Sequence, residues 1–122
     1  MPIKRVLVVD DSPTERHHLN EILTKAGFKV AFAFNGEEGV AKAKSEKPEL
    51  IVMDVVMPGR NGFQACRDLK GDDRFKGIPI VLCTSKGNES DKFWGQQQGA
   101  NGHVVKPFKS EELLQAVNRV LG

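Results

Sequence analysis

Leu50-Ile51-Val52-Met53-Asp54-Val55-Val56-Met57-Pro58 is the stretch around which this sequence is organised. Four apolar residues run directly into an aspartate, and a proline soon ends the run. An uninterrupted apolar run of this length suits a strand buried on both faces of a parallel sheet. A carboxylate is costly inside such a strand but is tolerated at its carboxyl end, which is where ligands bind in open α/β sheets. Asp54 therefore reads as a chemical group at a strand tip.

The same pattern recurs on either side. Arg5 to Val9 is a strand of the buried type and runs into Asp10-Asp11. Ser12, Pro13 and Glu15 then supply an N-cap, a first-position proline and the far end of a capping box. Leu19, Ile22, Leu23 and Ala26 form the apolar stripe of the helix that follows, and Gly27 stops it. Phe28 to Phe34 reads as a second strand, Asn35-Gly36 as a turn, and Glu37 to Ser45 as a short helix broken by Lys47-Pro48. Beyond the central strand (Glu49 to Met53, ending at Asp54) come a loop over Met57 to Gly62 and a helix over Phe63 to Lys70. Ile78 to Cys83 is a fourth strand with Pro79 at its start, and it ends in Thr84-Ser85. Glu89 to Gln98 is the weakest helix, interrupted by Gly95 and carrying only Phe93 and Trp94 as its stripe. His103 to Val105 is a short fifth strand leading into Lys106-Pro107, and Ser110 is placed to cap a last helix. Strand and helix alternate five times. Right-handed crossovers turn that alternation into a parallel sheet with helices on both faces.

At 122 residues the chain is expected to form one domain over 1–122. Eighteen basic and sixteen acidic residues leave a net charge of +2, and the basic residues are scattered. No nucleic-acid partner is expected from that distribution. Cys66 and Cys83 belong to no metal-ligand spacing and read as reduced core thiols. With no signal peptide and no apolar stretch of membrane length, the expectation is a cytoplasmic protein with no membrane partner.

Asp10-Asp11, Asp54, Thr84 and Lys106 fall at the ends of four strands, so a parallel sheet gathers them on one edge. Singly, each is an ordinary cap or solvated loop residue; together they describe a site. Carboxylates this close raise one another's pKa values, and a hard divalent cation relieves the repulsion. Mg²⁺ suits oxygen ligands supplied by one or two carboxylates together with phosphate, and no soft ligand favours zinc or copper. A lysine and a hydroxyl beside the metal suit a phosphoryl group. Asp54 as nucleophile would carry it as an acyl phosphate.

These residues carry a resemblance. Val8-Val9-Asp10-Asp11-Ser12, Met53-Asp54-Val55-Val56-Met57-Pro58 with Asn61-Gly62, Thr84-Ser85 and Val105-Lys106-Pro107-Phe108 together resemble the receiver domain of two-component response regulators. The likeness is to the single-domain, CheY-like type and spans essentially the whole chain. Asp10 to Glu15, Asp91 to Gly95 and Gln98-Gly99-Ala100 are most similar to the twitching-motility receivers of the PilH kind. The resemblance implies a doubly wound, flavodoxin-like (βα)5 fold with strand order 2-1-3-4-5. It implies that Asp54 accepts a phosphoryl group from a phosphohistidine of a histidine kinase. Asp11 and Asp54 would ligate Mg²⁺ with the Val56 backbone carbonyl, and Asp10 would act mostly through water. Lys106 would pair with Asp54 or its phosphate, Thr84 would bond the phosphate, and Lys106-Pro107 would be cis. A monomeric signalling switch with no output domain of its own is expected, not an enzyme acting on an external substrate. Its output would be changed affinity for a downstream target protein, or drainage of phosphoryl groups from the kinase. A constitutive adaptor and a small Mg²⁺-dependent phosphohydrolase are the readings of other classes. The complete acidic and lysine set argues against the first, and the lack of any substrate-lid insertion against the second.

Three features depart from the family pattern or leave it open. His103 stands where the family has Tyr or Phe; it is either a rotameric switch or a partly exposed strand-edge residue. Phe93 and Trp94 either pack against the sheet or face a partner. Val56 and Lys86 hold the positions that tune access of the hydrolytic water, and an apolar Val56 implies slow-to-moderate self-dephosphorylation. His17 and His18 read as solvated helix residues.

Overall fold

The computed structural model describes residues 4–57, 59–85, 94 and 96–121. Its strands are β1 (Arg5–Val9), β2 (Lys29–Ala33), β3 (Leu50–Asp54), β4 (Ile80–Ser85) and β5 (Gly102–Lys106). Its helices are α1 (Pro13–Lys25), α2 (Gly36–Glu46), α3 (Gly62–Lys70) and α4 (Ser110–Leu121). All strand pairs are parallel, in the order β2-β1-β3-β4-β5. The expected helix over Glu89 to Gln98 lies mostly outside the described residues; of it, Trp94, Gln96 and Gln97 are helical.

Strand residues alternate between two apolar layers. Leu7, Val9, Ile51, Met53, Ile80 and Leu82 pack against Val40 and Ala43 of α2 and against Ala65, Cys66 and Leu69 of α3. Val6, Val8, Leu50, Val52, Val81 and Cys83 pack against Leu19, Ile22 and Leu23 of α1 and against Leu113, Ala116 and Val117 of α4. Burial on both faces is why β1, β3 and β4 read as continuous apolar runs.

Element ends differ from expectation for identifiable reasons. Asn35 is the N-cap of α2, not part of a separate turn: its Oδ1 accepts the Glu38 N–H at 2.8 Å, so Gly36 is already helical. The Phe28 N–H still bonds the Leu23 carbonyl, which delays β2 to Lys29. β4 begins at Ile80, after Pro79, and runs on through Thr84 and Ser85, which were expected beyond its end. Ser110 does not cap the last helix but opens it. Lys109 stands at the cap position, its N–H donating to Glu112 Oε1 at 2.9 Å. At α3 the loop-like Asn61 forms a full capping box with Gln64, each side chain accepting the other's backbone N–H at 2.9 Å.

Candidate functional site

The strand register places the reactive groups. Val9 pairs with Met53, Asp54 with Cys83, Thr84 with Val105, and Ser85 with Lys106. Asp10 follows β1 directly, and its N–H still bonds Ala33 of β2 at 3.1 Å. Asp10, Asp54, Thr84 and Lys106 therefore share the carboxyl edge of the sheet, as the sequence pattern requires. Asp11 follows on the loop into α1.

One oxygen each of Asp10, Asp11 and Asp54 lie within 4.8 Å of one another. Asp10 is 1% exposed, Asp54 is half-buried and Asp11 is exposed. The Asp10 carboxylate has work on both oxygens. Its Oδ1 accepts the Ser12 N–H at 2.9 Å, and its Oδ2 accepts from Lys106 Nζ at 3.3 Å. Lys106 Nζ is also 3.3 Å from Asp54 Oδ1 and 3.8 Å from Glu15 Oε2. The Lys106-Pro107 bond is cis, as the resemblance implies.

Burial pushes the Asp54 carboxyl above the usual carboxylate range, and the charges of Asp10 and Asp11 push the same way; Lys106 pulls against them. Burial by itself would lower the Lys106 ammonium, but Asp54, Asp10 and Glu15 hold it above its ordinary value. The site thus concentrates negative charge around one cation. Its three clustered donors are all carboxylate oxygens, the hard set that suits Mg²⁺ or Ca²⁺ and disfavours soft metals.

The remaining predicted residues are placed less uniformly. Thr84 is 3% exposed, inside β4. The Val56 side chain is 65% exposed just past Asp54. His103 is half-buried on β5. Trp94 is 53% exposed, which does not match packing against the sheet. Phe93 and Lys86 lie outside the described residues. His17 is exposed and pairs with Glu21 at 2.7 Å, while His18 is exposed and stacked on Phe108 at 5.5 Å between ring centroids. Cys66 and Cys83 are buried and free; burial pushes their thiols up to about 11 and about 12.

Two residues beside the site carry no sequence signal for that role. Arg16 donates from Nη1 to the Asp10 carbonyl at 2.8 Å and lies over the Phe34 ring, 4.3 Å from its centroid. Glu15 reads in sequence as the far end of a capping box. The box closes by half: Ser12 Oγ accepts the Glu15 N–H at 3.3 Å. The Ser12 N–H is already committed to Asp10, and the Glu15 carboxylate faces Lys106.

The family model of the response regulator receiver domain matches residues 6–118. Protein PilH of Pseudomonas aeruginosa is 50% identical over 117 residues, covering 96% of this chain and 97% of the relative. The crystallised chemotaxis protein CheY4 of Vibrio cholerae superposes with a TM-score of 0.91 at 36% identity, covering 98% of this chain and all of that one. The receiver domain of a Pseudomonas aeruginosa sensor histidine kinase superposes with a TM-score of 0.90 at 26% identity, covering 99% of each chain. That structure holds a magnesium ion coordinated in its active-site cleft.

Proposed function

The chain belongs to the response regulator receiver domain family, and on that premise we propose that it is a stand-alone, phosphorylation-driven switch with Asp54 as its phosphoacceptor. The observation that carries this reading is the convergence of Asp10, Asp11 and Asp54, with Lys106 Nζ 3.3 Å from both Asp10 Oδ2 and Asp54 Oδ1. Asp54 Oδ attacks the phosphorus of a phosphohistidine on a histidine kinase. The P–O bond forms as the P–N bond breaks, and the imidazole leaves with a proton taken from solvent. Lys106 meets the charge of the arriving phosphoryl oxygens, and the Thr84 hydroxyl bonds one of them.

Asp11, Asp54 and the Val56 backbone carbonyl would hold Mg²⁺. Asp10, whose two oxygens are engaged by Ser12 and Lys106, would reach it through water. The ion supplies charge neutralisation that lets a carboxylate approach a phosphoryl dianion. The magnesium in the related kinase receiver domain supports this assignment. The likeness to PilH supports a place in a chemotaxis-like pathway controlling type IV pilus twitching motility. Exposed Trp94 and Val105 support an output made by changing affinity for a target protein.

The test is intact-mass measurement after Mg²⁺ and acetyl phosphate are added, with Trp94 fluorescence followed on the same samples. One added phosphoryl group that requires both Mg²⁺ and Asp54 is expected, and Asp54→Asn abolishes it. A mass gain that persists in Asp54→Asn would place the phosphoryl group elsewhere and end this reading.

A further inference from the structure

The Lys106 ammonium has three N–H bonds and faces three carboxylates. Two of these, Asp10 and Asp54, belong to the oxygen cluster that would hold the metal. The third, Glu15, lies outside that cluster, on the first turn of α1. What frees Glu15 for this position is local. A glutamate three residues after an N-cap serine ordinarily turns back to the cap N–H. Here Asp10 Oδ1 has taken that N–H at 2.9 Å, so the Glu15 carboxylate is released toward Lys106 at 3.8 Å. The Asn61–Gln64 pair at the start of α3, where no carboxylate competes, closes its box in full.

We infer that Glu15 is a positioning residue that restrains Lys106 and thereby slows phosphoryl acceptance on Asp54. The inference rests on Asp54 being the phosphoacceptor. Glu15 adds a negative charge beside the one cation that must meet the incoming phosphoryl oxygens. It acts twice in the same direction. It draws the ammonium toward α1 and away from Asp54, and it repels a dianionic donor. Its effect on metal has the opposite sign. A charge of the same sign as the ligands favours a divalent cation, and a lysine held toward Glu15 leaves the Asp54 and Asp10 oxygens more available. Glu15 thus favours the metal-bound form while opposing the phosphorylated one.

Glu15→Gln keeps the size and hydrogen-bonding capacity of the side chain and removes its charge. One unit charge roughly 6 Å away in a largely solvated setting is worth about a fivefold change in rate. Glu15 has a side chain 34% exposed, so such screening applies. The experiment follows the initial rate of phosphoryl uptake from acetyl phosphate at saturating Mg²⁺ by intact mass, and separately the Mg²⁺ dissociation constant by calorimetry. Uptake is expected to rise about fivefold, with a smaller rise in high salt, while Mg²⁺ binding weakens about twofold. A role confined to holding α1 would lower both quantities together. Uptake that stays within twofold of the unsubstituted protein, or falls alongside Mg²⁺ affinity, overturns the assignment of Glu15. Absence of uptake by the unsubstituted protein overturns the reading of Asp54 and this inference with it, so the two failures are distinguishable.

Discussion

Gly62→Ala should disturb Asp54, the proposed phosphoacceptor, from behind. Gly62 is the first residue of α3, and its N–H bonds the Val55 carbonyl at 2.9 Å, closing the loop that leaves β3. A Cβ at this position would overlap the Asp54 carbonyl oxygen and come within 2.9 Å of the Val55 Cα. Both are backbone atoms, so no side chain can swing aside; either α3 or the end of β3 must move. Overpacking of this kind costs about 1–3 kcal/mol. The better helix propensity of alanine offsets less than about 1 kcal/mol of it, since Gly62 is at the helix end. For 122 residues each kcal/mol lowers Tm by about 3–5 °C. The expected loss is about 1–2 kcal/mol, or about 3–10 °C. Because the overlapped carbonyl belongs to Asp54, Mg²⁺ affinity should fall several-fold in the fraction that remains folded. Thermal unfolding and calorimetric Mg²⁺ titration read the two effects. Gly77→Ala is the control: nothing lies within 4 Å of a Cβ there. It should be neutral or stabilising by up to about 1 kcal/mol. Gly62→Ala protein that melts with the unsubstituted protein and binds Mg²⁺ equally would refute the argument.

Lys106→Met should lower phosphoryl uptake from acetyl phosphate at least about tenfold, the loss of one charge-assisted partner of the transferring group, as read by intact mass. Asn61→Ala removes the α3 capping box and should cost about 1 kcal/mol, measured by urea denaturation, whereas Asn61→Asp should retain most of it. Neither cysteine should react with iodoacetamide near neutral pH in the folded protein, because burial holds Cys66 at about 11 and Cys83 at about 12; both should label in denaturant. The same thiols fix a sign for stability. Their folded-state pKa values exceed the ordinary 9.0, so their contribution is whole below pH 9 and is lost as pH rises toward 11–12.

The parts of the fold that were legible from sequence are those that only burial decides. β1, β3 and the core of β4 are filled on both faces, and a parallel sheet covered by helices on both sides hides Val6 to Val9, Leu50 to Met53 and Ile80 to Cys83 at once. Element ends were less legible because single hydrogen bonds set them. Asn35 carries one signal for a turn and one for an N-cap, and the Glu38 N–H decides between them. Ser110 is a good cap by type, yet the chain leaving Pro107 enters the helix one residue earlier, where Glu112 caps Lys109. Of the site, Asp10, Asp11, Asp54, Thr84 and Lys106 could be assembled in advance, since a parallel sheet sends all strand ends to one edge. Glu15 and Arg16 could not. Their side chains serve the site only because Asp10 offers a carboxylate to Ser12 and a carbonyl to Arg16, which are contacts without a sequence period.

Those contacts also mean that site and scaffold are one structure around Asp10. Its carboxylate satisfies one of the orphan N–H groups at the start of α1 with one oxygen and holds Lys106 with the other. Its carbonyl is held by Arg16, which in turn covers the exposed face of Phe34 on the loop after β2. A buried carboxylate among like charges is unfavourable by itself. Here an N–H donor meets it on one side and an ammonium on the other, and both are groups that the proposed phosphoryl chemistry or the helix start already needs. A substitution at Asp10 therefore cannot be neutral in one respect and harmful in the other. Asp10→Asn keeps an acceptor for Ser12 but removes one of the three carboxylate charges that Lys106 faces, so the ammonium then leans toward Asp54 and Glu15. Whatever shifts Lys106 between Asp54 and Glu15 changes how well the ammonium meets a phosphoryl group arriving at Asp54, so the buried acid acts on Asp54 through the lysine as well as through any metal they share.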